Sequence, residues 1–179
     1  MNSNPAMTKI NVTGSAGAGK TTYAKKLGQQ LNLPVHHLDA IVWQPHWQKT
    51  PPAKRRQLEG KITEAPCWVV DGVSKHVREQ ADLVIVMDVP WPRCLAQALK
   101  RNLPYMFRSR PGLPEHCPEL LILPTLVRMI LEYPTTLKPV LEREARASNK
   151  YVSLANADDH TAILGMVCGG AGQQIHRPR

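Results

Sequence analysis

The chain has 179 residues, 42% hydrophobic and 21% charged, with a formal net charge of +9. That length suits one domain with a sizeable core, and that balance excludes a disordered chain. No apolar run approaches the roughly 18 residues that span a bilayer. Met1 to Lys9 lack the apolar core of a signal peptide, so a cytoplasmic protein with no membrane partner is expected.

Met1 to Ala6 read as a polar leader, and Thr8 to Thr13 as a first strand. The strand runs into Gly14-Ser15-Ala16-Gly17-Ala18-Gly19-Lys20-Thr21, which spells G-x-x-x-x-G-K-T. Small residues let such a loop wrap closely around phosphates with its N–H groups turned inward. Lys20 is placed to reach the β- and γ-phosphates, and the Thr21 hydroxyl to ligate Mg²⁺. Thr22 follows on the first turn of the next helix and completes the expected nucleotide-binding set, Gly14 to Thr22. That helix, Lys20 to Leu31, carries Ala24, Leu27 and Leu31 on one face and brings its positive N-terminal dipole to the loop. Leu33-Pro34 ends it.

Pro34 to Leu38 read as a second strand, ending at Asp39. Within it, His36-His37 has no partner at metal-ligand spacing, so both are expected as strand histidines. Trp43, His46 and Trp47 follow in an irregular segment, either lining an acceptor pocket or covering the sheet. Pro51 to Glu64 are expected as a helix, Trp68-Val69-Val70 as a third strand closed by Asp71-Gly72, and Leu83 to Met87 as a fourth. The fourth is continuously apolar, as in a parallel sheet buried on both faces, and ends at Asp88. Pro92 to Arg101 are helical by pattern.

Asn102 to Pro118 show no period and are rich in Pro and Arg. A 17-residue connection of that kind suits a functional loop or lid. Glu119 to Asn149 read as helical material interrupted by Pro124, Pro134 and Pro139. Tyr151 to Leu154 are a fifth strand, Asp158-Asp159 a cap for a last helix to about Val167, and Gly169 to Arg179 a loose tail. Strands alternating with helices predict a single α/β domain: a three-layer fold around a five-stranded parallel sheet.

Four cysteines (Cys67, Cys94, Cys117, Cys168) stand far apart, as reduced and partly buried thiols do. The positive charge gathers at Lys54–Arg56, Lys100–Arg110 and Arg143–Lys150. It serves either a phosphorylated substrate or a nucleic-acid footprint. The middle cluster falls in the lid; the other two read as solvated helix faces.

With these residues in place, the chain resembles the small P-loop kinases of the adenylate kinase and shikimate kinase type. Within them it looks most like the adenylate kinase-related, DNA topology modulation family. The resemblance covers about residues 8–155 and rests on several blocks. These are the G-x-x-G-x-G-K-[ST] spacing, Leu38-Asp39-Ala40 with Trp43 and Trp47, Trp68 to Gly72, Ala81-Asp82 to Pro90, and the arginine-bearing lid with Cys117-Pro118-Glu119. The segment Val73-Ser74-Lys75-His76, with Arg78 beyond it, departs from that pattern.

The resemblance implies ATP and Mg²⁺ as cofactors, and transfer of the γ-phosphate to a small-molecule acceptor, such as a nucleotide or nucleoside. The alternative is an ATPase or nucleotide-switched regulator associated with DNA topology; direct nucleic-acid contact has no recognisable reading motif behind it. Asp71, ending a strand beside the first, is a candidate for a Mg²⁺-bound water. Asp39, on the same carboxyl edge, is a candidate for the acceptor hydroxyl or its proton. Asp88 reads as structural. Arg101, Arg108 and Arg110 are candidates to close over the phosphates, since guanidinium forks pair well with phosphate oxygens. Asn156 is placed near the adenine base by the resemblance alone.

Overall fold

The structure is a computed structural model that describes residues 7–107, 109, 113–155, 163 and 167. In chain order the elements are β1 (Lys9–Gly14), α1 (Lys20–Leu31), β2 (Val35–His37), α2 (Asp39–Val42), β3 (Trp43–Gln44), β4 (Gln48–Lys49) and α3 (Pro52–Thr63). Then come β5 (Trp68–Asp71), α4 (Lys75–Gln80), β6 (Leu83–Met87), α5 (Trp91–Asn102), α6 (Glu119–Glu132), α7 (Leu137–Ala147) and β7 (Tyr151–Leu154).

Five parallel strands form the sheet, in the order β2-β5-β1-β6-β7. Alternate residues sort to its two faces. Ile10, Val12, Val69, Ile85, Met87 and Val152 belong to one core, packed with Ala24 and Leu27 of α1, Cys94 and Ala98 of α5, and Ile130 of α6. Trp68, Val70 and Val84 belong to the other, with Val77 of α4 and, at its margin, Ile62 of α3. Helices therefore cover both faces, which is why β6 and the first three residues of β5 read as unbroken apolar runs. The chain leaves β1 toward β2 and β5 on one side, and reaches β6 and β7 on the other. That reversal opens a crevice at the carboxyl end of β1, where ligands bind in open parallel sheets.

The five expected strands are all present, within a residue or so at their ends. Other segments differ from expectation. The stretch after β2 is a short helix followed by an antiparallel hairpin, β3–β4. A further helix, α4, follows Gly72; Ser74 caps it by accepting from the Val77 N–H at 3.3 Å. Pro124 does not interrupt α6 but sits inside it, on an exposed position. Pro139 falls in the first turn of α7, where its missing N–H removes nothing. Within the expected lid, Leu103–Tyr105 form a 3₁₀ turn, and Ser109 bridges to Pro118.

The outer basic clusters are not simply solvated. Arg55 pairs with the buried Glu59 at 2.8 Å. Lys150 donates to the carbonyls of Arg78, Glu79 and Ala81 at the end of α4. Arg78 is itself buried; its guanidinium forks onto Glu144 of α7 at 2.8 and 3.2 Å, and the Tyr151 hydroxyl donates to the same carboxylate at 2.8 Å. Arg78 is thus a strut between α4 and α7. Cys94 and Cys117 are buried free thiols and Cys67 is a half-buried one. The leader, Cys168 and the expected tail lie outside the described residues, and of the expected last helix only Ile163 and Val167 are described, both helical. Among the described residues, no single helix is long and apolar enough to cross a membrane.

Candidate functional site

The loop between β1 and α1 is shaped by its glycines. Gly17 has φ +77°, and a Cβ there would lie 2.1 Å from the Cys94 carbonyl oxygen, so the loop packs backbone to backbone against α5. Gly19 is the N-cap of α1, also left-handed, and no side chain caps the helix. The first N–H groups of α1 are therefore left for an outside acceptor, and the dipole favours an anion there. Lys20 bends over the loop, its Nζ donating to the Ser15 carbonyl at 2.8 Å.

Thr21, one residue on, meets the end of β5. Its Oγ1 donates to Asp71 Oδ2 at 2.6 Å, and His37 Nδ1 lies 3.3 Å from the same oxygen. Asp71 is 7% exposed. Burial pushes its carboxyl upward, but the His37 contact, the Lys20 charge and the Thr21 hydroxyl outweigh it, and the net shift is down. Asp71 is thus a buried carboxylate held in its charged form beside the loop.

This arrangement fits a nucleotide with Mg²⁺. The loop offers an uncapped helix start and a cradle that a Cβ would fill. Thr21 and Asp71 offer hard oxygen donors, the type Mg²⁺ takes while keeping several waters. Among the described residues no group of three or more His, Cys, Asp or Glu side chains could hold a metal by itself.

The other expected residues are more scattered. Asp39 is the first residue of α2, exposed, two residues beyond the end of β2 on the same edge of the sheet. Arg101 is exposed in the last turn of α5, its Nε donating to Asn102 Oδ1 at 3.0 Å. Arg108, Arg110 and Asn156 lie outside the described residues. Asp88, after β6, takes Lys138 Nζ on both oxygens at 2.9 Å, an ion pair that joins β6 to α7.

The tryptophans sit against the expected lid. Trp43 and Trp47 pack edge to face, with centroids 5.3 Å apart. Trp47 Nε1 donates to the Pro118 carbonyl at 2.8 Å, Cys117 Sγ to the Gln44 carbonyl at 3.4 Å, and His46 stacks on His116 at 5.2 Å. A cavity of about 360 Å³ lies there, lined by His46, Phe107, Ser109, His116, Pro118 and Leu121. Arg55 also approaches the site: it donates to the carbonyl of Val73, just past Asp71-Gly72, at 3.0 Å. Sequence reading placed neither Arg55 nor His37 here. Each acts across a pairing that local spacing does not encode.

The strand order, the glycine loop on β1 and the acid at the end of the neighbouring strand define the P-loop NTPase fold in its small-kinase form. Solved structures bear this out. A shikimate kinase from Acinetobacter baumannii, in complex with shikimate, aligns with TM-score 0.56 and 17% identity over 90% of this chain and 93% of its own. A shikimate kinase from Bacteroides thetaiotaomicron aligns with TM-score 0.53 and 18% identity over 91% and 99%. A gluconokinase from Sinorhizobium meliloti 1021 aligns with TM-score 0.50 and 16% identity over 90% and 89%. No protein-family model matches the chain, and no curated protein does.

Proposed function

We propose that this chain is an ATP-dependent phosphotransferase, a single P-loop kinase domain that moves the γ-phosphate of ATP to a small-molecule acceptor such as a nucleotide or nucleoside. The observation that carries the reading is the convergence of Lys20, Thr21 and Asp71 at the crevice beside β1. Backbone N–H groups from Ser15 to Lys20 surround the phosphates, and Lys20 leaves the Ser15 carbonyl to pair with them. Thr21 would ligate Mg²⁺ and Asp71 would hold one of its waters; the ion, when bound, would neutralise phosphate charge. Asp39, at the start of α2, orients the acceptor hydroxyl and takes its proton as the new P–O bond forms and the bond from the γ-phosphorus to the bridging oxygen breaks, releasing ADP. Arg101, with Arg108 and Arg110 in the lid, closes over the transferring group and excludes water. The fold of the neighbouring kinases supports this assignment of class, and the acceptor of each neighbour remains that protein's own.

The DNA-topology alternative has no structural observation in its favour. It rested on the family resemblance and on the +9 charge, and of the basic side chains Arg55, Arg78, Lys138 and Lys150 are engaged in internal contacts.

The test is a coupled assay of ADP release with Mg-ATP and a panel of nucleotides, nucleosides and small hydroxy acids. At least one acceptor should raise turnover well above basal hydrolysis. A flat panel would sink the kinase reading, and salt-sensitive DNA binding at low ionic strength would revive the alternative.

A further inference from the structure

His37 is a strand residue by its sequence pattern and a site residue by its register. β2 and β5 pair in parallel with Val35 opposite Val69, His36 opposite Val70, and His37 opposite Asp71. Side chains of register partners leave a sheet on the same face. His37 therefore stands beside Asp71, and His36 is turned to the other face. A slip of one residue would exchange the two histidines.

The contact has a definite polarity. An ionised carboxylate only accepts hydrogen bonds, so Nδ1 of His37 carries the proton and donates to Oδ2 at 3.3 Å. Thr21 Oγ1 donates to that same oxygen at 2.6 Å. The two donors come from different elements, the edge strand β2 and helix α1. A single donor leaves a carboxylate free to swing about its broad terminal torsion. Two donors converging on one oxygen remove that freedom. Among the described residues, both hydrogen bonds to the Asp71 carboxylate fall on Oδ2 and none on Oδ1. Thr21, having one proton and giving it to Asp71, keeps its lone pairs for a metal.

We propose that His37 is a positioning residue for the metal site: its Nδ1–H, with the Thr21 hydroxyl, pins Asp71 by Oδ2 so that Oδ1 is presented to a water of the nucleotide's Mg²⁺. The proposal rests on the reading of this crevice as a nucleotide–Mg²⁺ site. His37 touches neither nucleotide nor acceptor in this role. It acts as the outer partners of metal ligands generally act, by fixing the inner ligand's orientation, and such partners set metal affinity by 10- to 100-fold, roughly. Its place on an edge strand, with its side chain 30% exposed, lets it be replaced without opening the core.

The experiment titrates Mn²⁺ into the full-length protein saturated with ADP, following water-proton relaxation, and measures ADP affinity separately without metal. His37→Ala should raise the Mn²⁺ dissociation constant by about 10-fold or more, with metal-free ADP affinity little changed. His37→Asn sets an amide nitrogen where Nδ1 stood and should restore most of the loss. Thermal unfolding of each variant reports any loss of fold, and His37→Phe, which fills the site without a hydrogen-bond donor, replaces Ala in every comparison if Ala is poorly folded. An unchanged Mn²⁺ constant in folded His37→Ala would overturn the proposal, as would a folded His37→Asn no better than Ala. Either result, with the parent binding Mn-ADP, leaves the nucleotide reading standing and removes only the role of His37. A parent that binds no ADP overturns both.

Discussion

Gly17→Ala is the substitution for which the structure gives the most definite cost. The new Cβ would stand 2.1 Å from the Cys94 carbonyl oxygen, 2.9 Å from its carbon and 3.2 Å from Ala98 Cβ. An ordinary carbon–oxygen approach is roughly 3.3 Å, so loop and α5 must part by about 1 Å. Both sides of the clash are backbone, and neither can rotate away. Overpacking of that kind costs about 1–3 kcal/mol. The left-handed φ of +77° adds about 1–2 kcal/mol for a residue with a Cβ. The sum, about 2–5 kcal/mol, lowers the melting temperature by about 10 °C in a chain of this size. Gly19→Ala is the internal control. Its φ is +89°, but nothing lies within 4 Å of the added carbon. It carries the conformational cost alone, about 1–2 kcal/mol, and should lose about 3–6 °C. Thermal melts followed by circular dichroism separate the two. Equal losses would refute the argument that close approach to α5, rather than backbone conformation, demands glycine at position 17.

Three further outcomes are expected. Lys20→Ala should weaken ATP binding by about 2–5 kcal/mol, as loss of one partner from a buried charge contact does, with an unaltered circular dichroism spectrum; calorimetric titration checks it, and retained affinity would remove Lys20 from the site. Glu144→Gln strips the charge partner from the buried Arg78 and should cost about 3 kcal/mol in urea unfolding at neutral pH. The hydrogen bond from Arg78 holds the Glu144 carboxyl below its ordinary value, and Tyr151 is pushed up to about 12 by burial and by Glu144. The stabilisation is therefore fully present above the unfolded carboxyl value of roughly 4.3 and is lost as pH falls through the lower folded value. A difference from the parent that fades between pH 6 and 8 would contradict this. Trp47→Phe deletes the hydrogen bond to Pro118 and should cost about 1 kcal/mol, with faster proteolytic cleavage near residues 107–118; unchanged cleavage would mean the hairpin does not hold that segment.

Much of the fold was legible because its signals are local. The glycine loop with the strand leading into it, the apolar run at Trp68–Val70 and the apolar run at Leu83–Met87 are each written in a few consecutive residues. Their periodicity reflects a sheet covered on both faces. Local signals failed where a residue's environment overrode its propensity. Pro124 reads as a breaker, yet it sits inside α6 on an exposed position. Nothing near Arg78 in the sequence marks it as buried; Glu144, 66 residues away, makes its burial possible.

The sequence by itself determined the glycine loop between β1 and α1, since its turn is backbone geometry that Gly17 and Gly19 permit, with Lys20 and Thr21 following in succession. It also put Asp71 at a strand end, whereas Asp39, expected to end β2, opens α2 two residues beyond it. Only the tertiary structure decided which side chains those groups meet. His37 comes to Asp71 through the register of two strands separated by more than 30 residues in the chain, and Trp47 comes to Pro118 across 71. Such contacts follow from strand order and pairing, which are set by burial of the whole sheet and leave no spacing in the sequence to read.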